Sequence, residues 1–221
     1  MSNIADGSGY FLYHSIGMFP GKEALVAEGL RKYAHLWSVP DDSQWPQALA
    51  IRGQFIECWR KLINAEPATL TTAENVTTAL YSLIGSLPTS YLEGRRVLVA
   101  ADCFPSLHFL LAGLAERHGF RLDTVPLRPG ESWVREEDFI ERWTADVGVA
   151  LVTQVTSTAS YRCDLPVLVA HGRRLGSLVG VDVTQGIGLI PYDAQAPEAD
   201  FTVSTSLNYM EIGRASCRER V

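Results

Sequence analysis

Ser177-Leu178-Val179-Gly180-Val181-Asp182-Val183-Thr184-Gln185-Gly186-Ile187-Gly188 decides how the rest of this sequence is read. The apolar run predicts a short buried strand that closes at Asp182, and a glycine-punctuated turn follows. Eighteen residues past Asp182 comes Asp200-Phe201-Thr202-Val203-Ser204-Thr205-Ser206, a second short strand that ends in hydroxyls. In an open parallel sheet, ligands sit beyond the carboxyl ends of the strands. A carboxylate placed there can pair with a protonated ring nitrogen, and hydroxyls can hold a phosphate. The same run also fits an ordinary strand and turn that bind nothing.

Working outward, the periodicity alternates. Residues 95–101, 120–125 and 147–153 read as strands. Residues 107–118, 134–143 and 165–174 read as helices between them. This alternation predicts an α/β fold of three layers, a mostly parallel sheet flanked by helices, with right-handed crossovers. Upstream, the apolar spacing of Ala24, Leu25, Ala27, Leu30, Tyr33, Ala34 and Trp37 reads as an amphipathic helix. A second helix is expected over residues 43–63, broken from the first by Pro40-Asp41-Asp42. Residues 68–73 read as a short strand, and a helix is expected to start near Glu74-Asn75-Val76-Thr77-Thr78 and run to Leu87. The domains expected are an N-terminal arm with helices (1–67), a ligand-binding domain (68–210) and a tail (211–221) that breaks the apolar pattern.

Composition bounds the function. With 221 residues and 47% hydrophobic content, the chain can bury a sizeable core. A formal charge of -6 argues against an extended nucleic-acid surface, though not against a local basic pocket. No apolar stretch approaches membrane-spanning length, and no signal-peptide pattern opens the chain. The four cysteines (Cys58, Cys103, Cys163 and Cys217) are widely separated and outline neither a zinc site nor a disulfide framework. A cytoplasmic protein that binds a small molecule, with no nucleic-acid or membrane partner, is the expectation.

The candidate site residues lie near predicted strand ends and helix starts. Thr77 and Thr78 either cap a helix or hold a phosphate at its amino end. Phe104 either stacks on a ligand ring or packs between helix and sheet. His108, His118 and His171 read as boundary residues rather than catalysts. There is no Gly-rich nucleotide fingerprint and no GxSxG elbow. A carboxylate with neighbouring hydroxyls suits pyridoxal 5'-phosphate, whose ring acts as an electron sink.

Several segments, in order, resemble a known family. Tyr10-Phe11-Leu12-Tyr13-His14-Ser15-Ile16-Gly17-Met18-Phe19-Pro20 is similar to an aromatic arm with an Asn-Ser-Leu-Gly core. Glu74-Asn75-Val76-Thr77-Thr78 resembles a phosphate-binding segment, and Cys103-Phe104-Pro105-Ser106 an Asn-Phe-Pro-Ser turn. Thr156 to Asp164 lies where the family has a Tyr-Tyr-Thr-Gly-Gln loop, with Ser160 in the glycine's place. Asp182-Val183-Thr184-Gln185 resembles Asp-Leu-Ala-His, and Asp200-Phe201 an Asp-Phe pair. The family is the fold-type I pyridoxal phosphate enzymes of the class V aminotransferase superfamily, kynureninase-like members in particular. The resemblance implies that Asp182 pairs with the pyridine nitrogen and that Phe104 stacks on the ring. It further implies that Gln185 reaches the ring oxygen, as in cysteine desulfurases, and that Thr77, Thr78 and Thr205 hold the phosphate. It implies an amino-acid substrate and a homodimer.

The resemblance also exposes departures. The family's Schiff-base lysine belongs eight residues past Asp200, where this chain has Asn208. The lysines of the chain are Lys22, Lys32 and Lys61. An amide nitrogen is not nucleophilic, so no Schiff base forms at that position and no catalytic residue is assigned. Family members run to about twice this length, so the sheet is expected to be incomplete at the C-terminus. Glu211-Ile212-Gly213-Arg214-Ala215-Ser216-Cys217-Arg218-Glu219-Arg220-Val221 resembles translated adapter sequence, as expected of a truncated gene product. Three functions follow: a parent enzyme of kynureninase or related lyase type (a cysteine desulfurase-like lyase included), an inactive homologue that binds the cofactor or partners an active subunit, and a fold-only relative.

Overall fold

The structure, a computed structural model, describes residues 9–208. These divide into two compact units, residues 9–71 with 206–208, and Thr72–Thr205.

The first unit holds α1 (Lys22–Leu36) and α2 (Gln44–Leu62). Both lie where the apolar spacing placed them. Trp37, which caps the carboxyl end of α1, meets Trp45 edge-on at 5.0 Å. The aromatic arm is folded back on itself, with the Tyr10 hydroxyl donating to the Ile16 carbonyl at 2.8 Å. Neither helix buries a residue, and Leu30, Tyr33, Leu49 and Ile51 are exposed.

The second unit is built on five strands in the order β2-β1-β3-β4-β5, all parallel. They are β1 (Arg96–Ala100), β2 (Arg121–Val125), β3 (Val147–Thr153), β4 (Leu178–Asp182) and β5 (Phe201–Val203). The connecting helices are α3 (Val76–Ser86), α4 (Pro105–His118), α5 (Glu136–Arg142) and α6 (Leu165–Leu175). Strands buried on both faces read as continuous apolar runs. β3, buried along all but its last residue, is the clearest case. On one face Leu80, Ile84, Leu107, Leu111 and Leu114 of α3 and α4 pack on Val97, Val99, Val149 and Leu151. Burying each such side chain stabilises the fold by about 1.5–3 kcal/mol. α6 packs on β3 and β4 and against α5. The three-layer α/β fold with a parallel sheet is therefore as the alternation predicted.

Two seams need glycine. At Gly148 a Cβ would lie 1.8 Å from the Tyr91 carbonyl oxygen, so the turn before β1 rests directly on β3. At Gly172 a Cβ would meet the Trp143 ring at 2.5 Å. The Trp143 indole nitrogen donates to Ser177 Oγ at 2.9 Å, and Ser177 Oγ donates to the Val147 carbonyl at 2.7 Å. The amino edge of the sheet is tied by charge. Arg96 bonds Asp123 and also Asp146 at 2.7 Å, and Arg142 reaches Asp123 at 2.8 Å. The Arg96 guanidinium holds the Asp146 carboxyl well below the usual carboxylate range.

Three expectations are corrected. Residues 68–73 form no strand. Ala68 sits at φ 64, and Thr69 turns back on the Glu66 carbonyl, so the segment cannot extend as a ladder. The helix expected from Val134 begins only at Glu136, because Arg135 ahead of it is extended (φ -80, ψ 151). α4 starts two residues earlier than expected, at Pro105, whose fixed φ suits a first helical position. The tail expected at 211–221 lies outside the described residues. Among those described, no helix is long and apolar enough to cross a membrane.

Replacing the two kinds of glycine should have opposite effects. Gly148→Ala forces backbone apart and is expected to cost about 1–3 kcal/mol in urea unfolding. Gly113→Ala, inside α4 with nothing within 4 Å of the new Cβ, is expected to gain about 0.5–1 kcal/mol.

Candidate functional site

The carboxyl ends of the strands form one edge of the second unit, and the candidate residues of that unit converge there. A helix leading into a parallel strand runs opposite to it. α3 therefore points its amino end, with Thr77 and Thr78, at the same edge that β1 reaches before turning into α4. Thr77 Oγ1 donates to Ser106 Oγ in the first turn of α4 at 3.1 Å, which closes this corner. Asn75 is the cap of α3: its Oδ1 accepts from the Thr78 amide at 2.8 Å. The capping reading of this segment is thus correct for one amide. The Thr78 side chain itself is exposed.

Phe104 precedes α4 and is 48% exposed, so it does not pack between helix and sheet. Its ring is available to a ligand. Cys103 beside it is buried, and burial together with the Asp102 and Asp182 charges pushes its thiol up to about 12. The Cys163 thiol is likewise pushed up to about 12 by burial and by Glu136. Neither ionises near neutral pH.

Asp182 ends β4 and is 5% exposed. Its Oδ1 accepts from the Thr184 amide at 2.9 Å, and its carbonyl accepts from the Gln154 amide at 2.9 Å. Burial raises its carboxyl above the ordinary range, while the bond from the Thr184 amide opposes that rise. A half-buried Gln185 follows on the same turn. Thr205 lies two residues past β5, the strand that pairs with β4.

Sequence reasoning missed a set of oxygens around this carboxylate. Thr153 Oγ1 and Gln154 Oε1 at the end of β3, Thr184 Oγ1 past β4 and Ser204 Oγ past β5 are buried without a hydrogen-bond partner. Buried polar atoms are paired in most proteins, so such a cluster marks a place made for hydrogen bonding. The sequence shows only that each of these polar residues ends an apolar run or follows one closely. A cavity of about 720 Å³ opens beside Tyr161, Asp164 and Tyr192, with Gln154 in its wall. Thr77, Thr78, Phe104, Asp182, Gln185 and Thr205 do not line it.

The aminotransferase class-V family profile matches residues 48–207, well over half of the chain. The chain belongs to the class-V aminotransferase family. Its relatives include the kynureninase of Myxococcus xanthus, 26% identical over 212 residues, which span 92% of this chain and 50% of that protein. The kynureninase of Salinispora tropica is 25% identical over 160 residues, covering 69% of this chain and 37% of that protein. The rat kynureninase is 22% identical, covering 96% of this chain and 47% of that protein. The chain thus spans about half the length of the curated relatives it matches. Among solved structures, a C-DES mutant with glycine covalently linked to its PLP cofactor superposes with a TM-score of 0.78 at 19% identity, covering 90% of this chain and 53% of that one. The cysteine desulfurase CsdA of Escherichia coli gives 0.71 at 19% identity, covering 88% and 49%. At such identities the likeness is one of fold.

Two departures of this class-V chain have a visible structural side. Ser160, in the glycine's place, adopts φ 54, the left-handed conformation that glycine enters freely. Asn208 is buried within the other compact unit. Among the described residues, no group of three or more His, Cys, Asp or Glu side chains is placed to hold a metal ion.

The buried charge of Asp182 gives a signed expectation. Its folded pKa is raised, so ionisation opposes folding, and stability falls as pH rises from the ordinary carboxylate value through the raised one. Asp182→Asn should therefore raise the melting temperature of the cofactor-free protein at neutral pH. That advantage should vanish in acid, where Asp182 is protonated in both states.

Proposed function

We propose that the chain is part of a pyridoxal 5'-phosphate-dependent enzyme that acts on an amino acid, of kynureninase or related lyase type. The observation that carries this reading is the buried Asp182 carboxylate at the carboxyl edge, ringed by unpaired hydroxyl and amide oxygens. The residues present fit the cofactor. Asp182 would hold the ring nitrogen protonated, Phe104 would stack on the ring, and Gln185 would reach the ring oxygen. Thr77, Thr78 and Thr205 would hold the phosphate near the amino end of α3. When bound, the cofactor supplies an electron sink for a substrate carbanion. Its burial would strengthen the attraction between Asp182 and a cationic ring nitrogen.

On this reading, residues 1–67 are an arm with helices, 68–210 a partial cofactor domain and 211–221 a non-native tail. The full-length parent would be a cytoplasmic homodimer. A cysteine desulfurase-like lyase is the alternative within the same family.

Asn208 favours a second reading. A chain with no amine at the Schiff-base position would bind the cofactor without covalent attachment, as an inactive homologue or the partner of an active subunit. Borohydride would then leave the cofactor removable by dialysis.

The test is titration of the purified chain with pyridoxal 5'-phosphate, followed by tryptophan fluorescence. A charge-assisted hydrogen bond contributes about 1.5–3 kcal/mol, so Asp182→Ala should weaken binding roughly ten- to a hundredfold. Equal affinity of the variant and the parent chain would remove the cofactor reading.

A further inference from the structure

The cavity of about 720 Å³ in the second unit has no part in the cofactor assignment. That volume is in the range of small-molecule sites. It opens on the sheet face turned away from Asp182. Residues two apart on a strand share a face. Leu178 packs into the cluster under α3 and α4, and the Phe201 ring of the same cluster covers Gly180, so Leu178, Gly180 and Asp182 face those helices. Thr202, next to Phe201 on β5, faces the other way, and its Oγ1 meets the hydroxyl of Tyr192 at 2.7 Å. Tyr192 and the first turn of α6, Leu165 to Val167, wall the cavity on that side.

The walls are held in place by contacts of their own. Tyr161 stacks on Trp133 at 5.2 Å, 14° from parallel, and its hydroxyl donates to Glu136 Oε2 at 2.5 Å. Pro166, Pro191 and Pro197 stiffen the rim. Glu136, Glu137, Asp164 and Asp193 stand in the lining against Arg162. The start of α6 would otherwise draw an anion, but Asp164 Oδ1 caps it through the Val167 amide at 3.2 Å, and Glu136 Oε1 takes the Asp164 amide at 2.8 Å. The charge left in the lining is negative.

Gln154 adds an independent demand. It reaches the wall from the end of β3, is 3% exposed, and its Oε1 is buried without a hydrogen-bond partner. Of the four unpaired oxygens at this edge, it is the one whose residue lines the cavity. The last torsion of a glutamine is broad, so the amide can turn this oxygen toward a donor that enters. An acceptor left unpaired calls for an N–H or O–H, not for a second acceptor.

We propose that this cavity is a second binding site, for a small organic cation carrying N–H donors, an alkylguanidinium or alkylammonium group. The cation lies against the Tyr161 ring, gives one N–H to Gln154 Oε1 and faces Glu137. The site is separate from the function proposed above and does not rest on it.

The experiment is a ¹H–¹⁵N NMR titration of the cofactor-free chain with n-butylguanidinium and n-butylammonium, with butyrate and n-butanol as controls. The reporter is the Trp133 indole N–H, assigned by its loss in Trp133→Phe. Both cations should shift it saturably, and neither control should. Gln154→Leu keeps the bulk and removes the acceptor, and should weaken cation binding about tenfold or more. Glu137→Gln, at an exposed position, should weaken it about two- to fivefold, and it decides alone if Gln154→Leu fails to fold. Pyridoxal 5'-phosphate added to the cation-bound chain should leave the Trp133 shift in place. The proposal falls if neither cation shifts the signal, if butyrate or butanol shifts it equally, if the folded variants bind as the parent chain does, or if pyridoxal 5'-phosphate displaces the cation. Saturable cation binding by a chain that takes up no pyridoxal 5'-phosphate upholds this site and counts against the cofactor reading alone.

Discussion

A carboxylate buried at the end of β4 is the constraint around which the second unit is arranged. Removing a charge from water is costly unless it is compensated. Here β3 and β5 close on either side of β4, and the turn after Asp182 supplies the amide of Thr184. No cation is among the groups that shift Asp182. A structural aspartate would usually sit against an arginine, as Asp123 does at the other end of the sheet. An acid held this way is suited to a cationic ligand group, and the unpaired oxygens beside it extend the same demand to β3 and β5.

The backbone follows from ordinary packing. Apolar runs make the strands, and Leu- and Ile-rich helix faces cover them. The parallel order then sends every strand's carboxyl end, and the amino end of every helix that leads into a strand, to one edge. Thr77, Phe104, Asp182 and Thr205 are distant in sequence and share that edge because the topology gives them no alternative. Asn208 belongs to the other compact unit.

Much of this was legible in the sequence, because period and apolar content are local properties. β3 was expected at residues 147–153 and occupies them. The errors arose where a distant side chain or backbone contact overrode local preference. Asp102 holds the Val134 amide from 32 residues away, and Arg135 stays extended ahead of α5. Ala68 takes a left-handed turn that threonine-rich neighbours do not announce. In the site, Asp182 stood out because an acid at the end of an apolar strand is unusual. Gln154 and Ser204 did not, because a neutral polar residue at a strand end looks like the start of a loop. Their isolation from hydrogen-bond partners is a property of the folded state alone.

The Arg96 cluster ties β1, β2 and the start of β3 together at the edge remote from Asp182. Cohesion and chemistry thus occupy opposite rims of one sheet. A lineage can retire its reaction by drift at the chemical rim while the ionic rim continues to hold the scaffold together. Asn208, where a reactive amine belongs by resemblance, is the kind of change such a division of labour tolerates. A scaffold that lost turnover in this way would stay open to recruitment for binding.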